Sequence, residues 1–353
     1  MRIFISAGEP SGDLRASELV RSIRRIAPSV QFYGMGGALM EASGVHLIRR
    51  IGDSSVVGIQ EALMHIPDLL RDFQDVYRSA LMADAAILVD YPGYHLLLAS
   101  RLLNAGKRVF YYVLPQLWAW GRFRISVLRK MEGLYSILPF EPEFFSRLGV
   151  KVRYFGHPLA SLYRKSIEGV ERRGNPTIGL LPGSRRHEMR RLIPRMMSIK
   201  GHLEKIYPDA FFYMSLLDSS FGVPASGNME VLKGKSLEII KGSDIVIVAS
   251  GTASLEAAIL GTPAVVLYVM SEITWIFARM FARVRWASLT NLILGREVFP
   301  EFIQHIPPEK VARTVARILD EREEVLREIS RLRVLLGEGN PVDRVAEDLI
   351  SSL

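Results

Sequence analysis

Short apolar runs recur along the chain and alternate with stretches of helical spacing. In the first half, Arg2–Ala7 (RIFISA), Val30–Gly34 (VQFYG), Ala85–Asp90 (AAILVD), Arg108–Val113 (RVFYYV) and Leu134–Pro139 (LYSILP) read as strands. Between the first two, Leu19, Ile23 and Ile26 recur at three-to-four spacing and predict a helix over Leu14–Ile26. The runs are apolar throughout rather than alternating, which marks strands buried on both faces of a parallel sheet. Residues 158–176 (PLASLYRKSIEGVERRGNP) are polar and bounded by proline, and read as a linker. The rhythm then resumes at Thr177–Leu181, Ala210–Leu216, Asp244–Ser250 and Ala264–Val269, and residues 308–353 are charged and helical with a break at Gly337–Pro341. The expected fold is α/β: two Rossmann-like, doubly wound domains facing a central cleft. We place them at 1–160 and 172–320, with the C-terminal helix of about 325–353 packing back on the first.

Composition narrows the chemistry. At 353 residues the chain can bury two full cores, and 49% hydrophobic against 23% charged residues suits folded domains rather than disorder. There is no cysteine, which removes disulfides, thiolate catalysis and cysteine-ligated zinc. The N-terminus turns polar after Ala7, and Glu9 and Asp13 oppose a signal peptide. No run approaches the roughly 18 apolar residues of a membrane span. The net charge of +8 is carried largely by arginine clusters at Arg122–Lys130, Arg185–Arg195 and Arg279–Arg296. They come with no nucleic-acid-binding signature, so no nucleic acid partner is expected. A solvated basic face and contact with a membrane surface both remain open.

Ligands of doubly wound sheets bind beyond the carboxyl ends of the strands, so the loops there carry the candidates. After Thr177–Leu181 comes a turn, Pro182-Gly183-Ser184, and then Arg185 at the start of a helical pattern that Pro194 should kink or divide. Amides at that helix start, with Ser184 and Arg185, suit a diphosphate; the competing reading is an ordinary serine N-cap with surface arginines. After Asp244–Ala249 comes Ser250-Gly251-Thr252, followed by Ser254 and Glu256. Small residues there let amides approach a phosphate, and Glu256 one turn on suits ribose hydroxyls or simply the helix dipole. Asp90 ends a buried strand, as a general base or a turn-forming residue. The loop Gly8, Glu9, Ser11, Gly12, Asp13 is acidic and suits a hydroxyl-rich acceptor. Trp118 and Trp120, followed by Arg122 and Arg124, offer a sugar-stacking or acyl-contacting wall, or merely core aromatics. His157 and His95 read as structural residues before catalysts. No metal motif and no dinucleotide fingerprint is present, so neither metal nor cofactor is expected. A diphosphate leaving group would be neutralised by Arg185 and amide dipoles.

Taken in order, SAGEPSGD, PQLWAW (with Gln116 and Trp118), FGHPL (with His157), LLPGSR with Glu188, ASGTASLEAAILGTPAVVLY and SLTNLI (with Asn291) closely resemble the lipid-A-disaccharide synthase family, from Arg2 to about Gly295. The resemblance implies a GT-B glycosyltransferase, inverting and metal-independent. It implies transfer of 2,3-diacylglucosamine from its UDP donor to 2,3-diacylglucosamine 1-phosphate, at the cytoplasmic face of the inner membrane. It makes Asp90 the base for the acceptor 6-hydroxyl and Arg185 the stabiliser of the departing diphosphate. Gly183, Ser184, Ser250, Gly251, Thr252, Glu256 and Asn291 would hold UDP. The chain departs from the family where Xaa-Pro-Asp-Phe-Asn after the aspartate becomes Tyr91-Pro92-Gly93-Tyr94-His95, and where Gly121 follows Trp120. A relative with another UDP-sugar or acceptor is the alternative. Acylated substrates would bring the protein to the bilayer, through Ala62–Phe73 or Trp275–Leu289, unless those segments are buried in a domain or homodimer interface.

Overall fold

The computed structural model describes residues 1–51, 66–118, 125–216, 221–223, 227–270, 285–337 and 339–353. They form two compact units, Met1–Pro158 with Gly337–Leu353, and Leu159–Leu336.

The first unit is a seven-stranded parallel sheet. Its strands are β1 (Arg2–Ala7), β2 (Gln31–Gly36), β3 (His46–Arg50), β4 (Ala85–Val89), β5 (Arg108–Tyr112), β6 (Gly133–Ser136) and β7 (Arg153–Tyr154). They lie in the order β3-β2-β1-β4-β5-β6-β7. Alternate residues of β1 feed two separate cores: Ile3 and Ile5 pack with Leu19, Ile23 and Ile87, while Phe4 packs with Phe73, Leu88 and Tyr111. That is why the strand reads as an unbroken apolar run. The last helix, Pro341–Ser351, adds Val342, Val345 and Leu349 to the first of these cores. Tyr135 donates to Asp348 at 2.8 Å, and the Arg108 guanidinium holds the carbonyls of Ser352 and Leu353.

The second unit has six parallel strands: β8 (Thr177–Leu181), β9 (Phe211–Leu216), β10 (Met229–Lys233), β11 (Ile245–Ala249), β12 (Ala264–Tyr268) and β13 (Glu301–Ile303), ordered β10-β9-β8-β11-β12-β13. The polar stretch expected as a linker folds with this unit. The Val170 amide bonds the Glu238 carbonyl at 3.0 Å, and Tyr213 donates to the Glu171 carbonyl at 2.9 Å. Gly169 lies so close to Gly242 that a Cβ on it would come within 2.7 Å of the Gly242 nitrogen. The helix Arg186–Ile206 runs through Pro194, so no second helix begins there. Its buried face, from Met189 through Met196 to Leu203, continues on both sides of the proline, and that packing offsets the lost backbone bond. Among the described residues no helix is long and apolar enough to cross a membrane.

The two sheets share one winding. Strand order reverses between β1 and β4 in the first unit, and between β8 and β11 in the second. The loops that leave these four strands therefore sit at the two topological switch points.

Candidate active site

At the first switch point the chain makes an unusual turn. Asp90 and Tyr91 both adopt left-handed conformations, with φ of 54° and 52°. L-residues resist this, at roughly 1–2 kcal/mol each, unless neighbours impose it. Here the neighbours do. The Asp90 amide donates to the Tyr112 carbonyl at 3.0 Å. The Asp90 carbonyl accepts from the Tyr111 hydroxyl and from His95 Nδ1, each at 2.6 Å. On its other side His95 Nε2 lies 2.8 Å from Ser6 Oγ of β1. The Tyr91 ring covers Gly8, where a Cβ would come within 2.1 Å of Tyr91 Cδ1, so only glycine fits. Gly12 closes the floor, with its Cβ position 3.8 Å from Asp90 Cβ. Burial raises the Asp90 carboxyl above its ordinary value; nearby Glu9 adds to the rise and a bond from the Tyr91 amide opposes it. Glu9 and Ser11 are exposed beside this turn.

Other first-unit candidates point elsewhere. Asp13 is buried, and its two oxygens accept from the amides of Gly37, Leu39 and Met40 at 2.8–3.1 Å. It caps the helix Ala38–Ala42 and is not offered to an acceptor, contrary to the sequence reading. His157 is buried, and burial, with Arg15 adding, pushes it down to about 3. It is a neutral, internal residue. Gln116 is exposed. Trp118 is partly buried: its indole donates to Glu141 at 3.0 Å, and its ring meets Phe140 edge-on at 5.3 Å. Burial pushes the Glu141 carboxyl up to about 7, against the bonds from Trp118 and the Leu138 amide. Trp120, Arg122 and Arg124 lie outside the described residues.

The second switch point is built differently. Gly183 has a φ of 98°, and a Cβ there would come within 2.6 Å of Glu188 Oε2 and 3.2 Å of Ala249 Cβ. The β8 loop thus abuts the end of β11 with no room for a side chain. The helix cap is Arg185 rather than Ser184: the Arg185 amide donates to Glu188 at 3.4 Å and the guanidinium at 3.2 Å. Ser184 is exposed, so the ordinary serine N-cap is not formed. The arginine side chain is 64% exposed, and such a pair is worth only about 0.3–0.5 kcal/mol, little to give up for a phosphate. After β11, Gly251 adopts φ 149°, ψ −151°, a region essentially reserved for glycine, and the space beside it is open. Thr252, exposed, begins the helix Thr252–Leu260, whose first amides have no partner within the helix. Glu256 is partly exposed, one turn in.

The family of this fold follows from comparison. The sequence model of the family described as Lipid-A-disaccharide synthetase matches residues 3–338. Over 375 aligned positions the chain is 37% identical to the lipid-A-disaccharide synthase of Myxococcus xanthus, covering 100% of this chain and 97% of that one. It is 36% identical to the enzyme of Solibacter usitatus over 357 positions, covering 95% and 93%. The chain belongs to the lipid-A-disaccharide synthase family. It is thus a glycosyltransferase of lipid A biosynthesis. Among solved structures, the kitacinnamycin glycotransferase superposes with a TM-score of 0.67 at 12% identity, covering 100% of this chain and 99% of that one. The UDP-GlcNAc 2-epimerase of Neisseria meningitidis gives 0.63 at 13%, covering 99% and 100%. These likenesses show the shared GT-B fold alone.

Within this member of the family, two motif residues are internal braces. Asn291 is wholly buried: its amide nitrogen donates to the Phe299 carbonyl and Glu301, both at 2.7 Å, and its oxygen accepts from the amides of Val298 and Phe299 at 2.8 and 2.9 Å. These four bonds make the side chain a brace between the motif and the segment Val298–Glu301. Glu301 also accepts from the amides of Ala287 and Ser288, and the Ala287 carbonyl receives the Ser250 hydroxyl at 2.9 Å. The SLTNLI motif therefore stiffens the glycine loop from behind. Ser254 is likewise buried and donates to the Gly251 carbonyl at 2.9 Å, which closes the turn instead of meeting a ligand. Gly93, a departure from the family pattern, has open space where a Cβ would stand, so packing does not require glycine there. Ser6, Tyr111, Glu141 and Glu301 went unnoticed in the sequence. Ser6 had a visible signal, as the one polar residue inside the apolar part of RIFISA.

Proposed function

We propose that the protein transfers 2,3-diacylglucosamine from UDP-2,3-diacylglucosamine to the 6-hydroxyl of 2,3-diacylglucosamine 1-phosphate, with inversion and without a metal ion. The products are the β-1,6-linked disaccharide 1-phosphate and UDP. The observation that carries the reading is the contrast between the switch points. One holds a carboxyl of raised proton affinity on a locked turn, and the other holds glycine-opened helix starts beside an exposed arginine. Asp90 takes the hydroxyl proton as the oxygen attacks the anomeric carbon. The bond to the diphosphate breaks, and its charge is taken up by Arg185, by the amides at Gly183, Ser184 and Thr252, and by the helix dipole. Glu256 accepts from the ribose, and Glu9, Ser11, Gln116 and Trp118 contribute to the acceptor side.

Acyl chains hold both substrates in the bilayer by about 0.8 kcal/mol per methylene. The protein accordingly works peripherally at the cytoplasmic face of the inner membrane. Ala62–Phe73 and Trp275–Leu289 are the proposed contacts, of which residues 62–65 and 275–284 lie outside the described residues. The test is UDP release with the diacylated donor, with and without acceptor, against UDP-N-acetylglucosamine. Release should require acyl chains on the donor and the acylated acceptor. Equal turnover of UDP-N-acetylglucosamine, or its epimerisation, would favour the soluble-sugar alternative instead.

A further inference from the structure

His95 ties β1, the turn after β4 and the following helix together. Its backbone amide bonds the Tyr91 carbonyl at 3.1 Å in the first turn of the helix Pro92–Asn104. Its ring is buried, with Tyr91, Tyr94 and Tyr111 edge-on at centroid distances of 5.6, 5.9 and 6.3 Å. Both ring nitrogens are engaged. A carbonyl only accepts, so Nδ1 carries the hydrogen that goes to Asp90, and Nε2 accepts the hydrogen of the Ser6 hydroxyl. That is the neutral imidazole, in keeping with a basicity that burial lowers to about 4.

Packing alone would not call for this residue. A phenyl ring fills similar volume without two buried polar atoms to satisfy. What the imidazole adds is a hydrogen bond to the one carbonyl whose orientation follows from the left-handed pair Asp90–Tyr91. Tyr111 reaches the same carbonyl from β5. Peptide rotation there would swing the Asp90 carboxyl, and His95 connects the turn to Ser6 across the switch point, on the neighbouring strand where Ser6 pairs with Leu88.

We propose that His95 is a positioning residue for glycosyl transfer, its imidazole strung between Ser6 and the Asp90 carbonyl to hold the turn that carries the Asp90 carboxyl. The inference rests on the reading of Asp90 as the base. His95 does not touch substrate; it acts on turnover through the placement of Asp90, and leaves the donor-binding loops of the second unit alone.

The test uses full-length variants with the diacylated donor and acceptor in mixed micelles, read as kcat for UDP release, UDP affinity by calorimetry, and melting temperature. His95→Phe keeps the ring and loses both bonds; its kcat should fall about 100-fold, the order expected for a misplacement near 1 Å, with UDP affinity unchanged. His95→Asn sets an amide nitrogen near the Nδ1 position, and should recover most of that loss. A folded His95→Phe with wild-type kcat, or a His95→Asn as impaired as His95→Phe, overturns the proposal. Should His95→Phe not fold, Ser6→Ala decides: reduced kcat at unchanged UDP affinity supports the strut, and unchanged kcat overturns it. Asp90→Asn is run beside these. If it turns over at the wild-type rate, the base reading fails and this inference with it. If it is inactive while His95→Phe is fully active, only the positioning role fails.

Discussion

The turn after β4 and the turn after β11 occupy equivalent places in two sheets of the same winding, yet they are made in opposite ways. The first is filled. Its left-handed residues are an aspartate and a tyrosine, and two neighbouring strands and a helix hold them with Ser6, Tyr111, Tyr112 and His95. The second is open. Its unusual backbone belongs to Gly251, with space beside it, and its bracing comes from behind through Ser250, Asn291 and Glu301. On the proposed function, the difference follows from what each turn presents. A side chain that must take a proton at one place needs its backbone fixed by packing. Amides that must approach a phosphate need the absence of side chains. Filling the open turn, or disturbing the filled one, should therefore damage different steps.

Apart from Asp90→Asn, the largest effect should come from the open side's charge. Arg185→Ala should raise the barrier to transfer by about 3–4 kcal/mol, a loss of 10²–10³ in kcat, since the diphosphate loses its cation. Turnover near wild type would remove Arg185 from the mechanism.

Elsewhere in the first unit, Glu141 gives a pH response of its own. Its folded value of about 7 lies above the ordinary 4.5, so the folded state holds the proton more tightly than the unfolded chain. The sign is definite: the stabilisation is fully present below about 4.5 and is lost as pH rises through about 7. At about 1.4 kcal/mol per unit the change is on the order of 3 kcal/mol. Glu141→Gln should remove it, so wild type should lose stability relative to the variant between pH 5 and 8 in denaturant titrations. Trp118 fluorescence should report the same transition. A pH-independent difference would mean that Glu141 is ionised and solvated throughout.

Gly8→Ala pushes a methyl group into the Tyr91 ring. It should cost about 2 kcal/mol of stability and lower kcat, with UDP affinity unchanged. Gly251→Ala should do the converse. The methyl group meets no atom, but the backbone must leave φ 149°, which costs at least about 1 kcal/mol and should weaken UDP binding about tenfold. If both variants altered UDP affinity alike, the division of labour between the two turns would be lost.

Much of this contrast was legible in the sequence. Unbroken apolar runs that end on Asp90, on Pro182-Gly183-Ser184 and on Ser250-Gly251-Thr252 announce strand ends with loops worth attention, and all of these fall at switch points. What stayed hidden was direction. Asp13, Ser254, Asn291 and His157 sit in motifs beside residues that can meet ligand, and a polar residue reads the same whether it faces a substrate or an orphan backbone amide. Only the fold reveals that Gly37, Leu39 and Met40 present their amides to Asp13, or that Val298 and Phe299 present theirs to Asn291. β3 and β7 escaped for another reason. The first alternates half-buried and exposed residues at an edge, and the second is two residues long. The helix cap at Arg185 was missed because a serine stood in the favoured place while Glu188 bonded one residue further on.

The central claim is that Asp90 is the proton acceptor in transfer, and the most direct measurement is kcat for UDP release by Asp90→Asn at saturating donor and acceptor, with UDP affinity measured on the same preparation. The account predicts a fall of about 10²–10⁴ in kcat with UDP affinity unchanged. It also predicts a wild-type acid limb governed by a group titrating above the ordinary aspartate value of 3.8, because the base must be ionised and burial raises it. An Asp90→Asn protein that turns over at the wild-type rate would contradict the account outright.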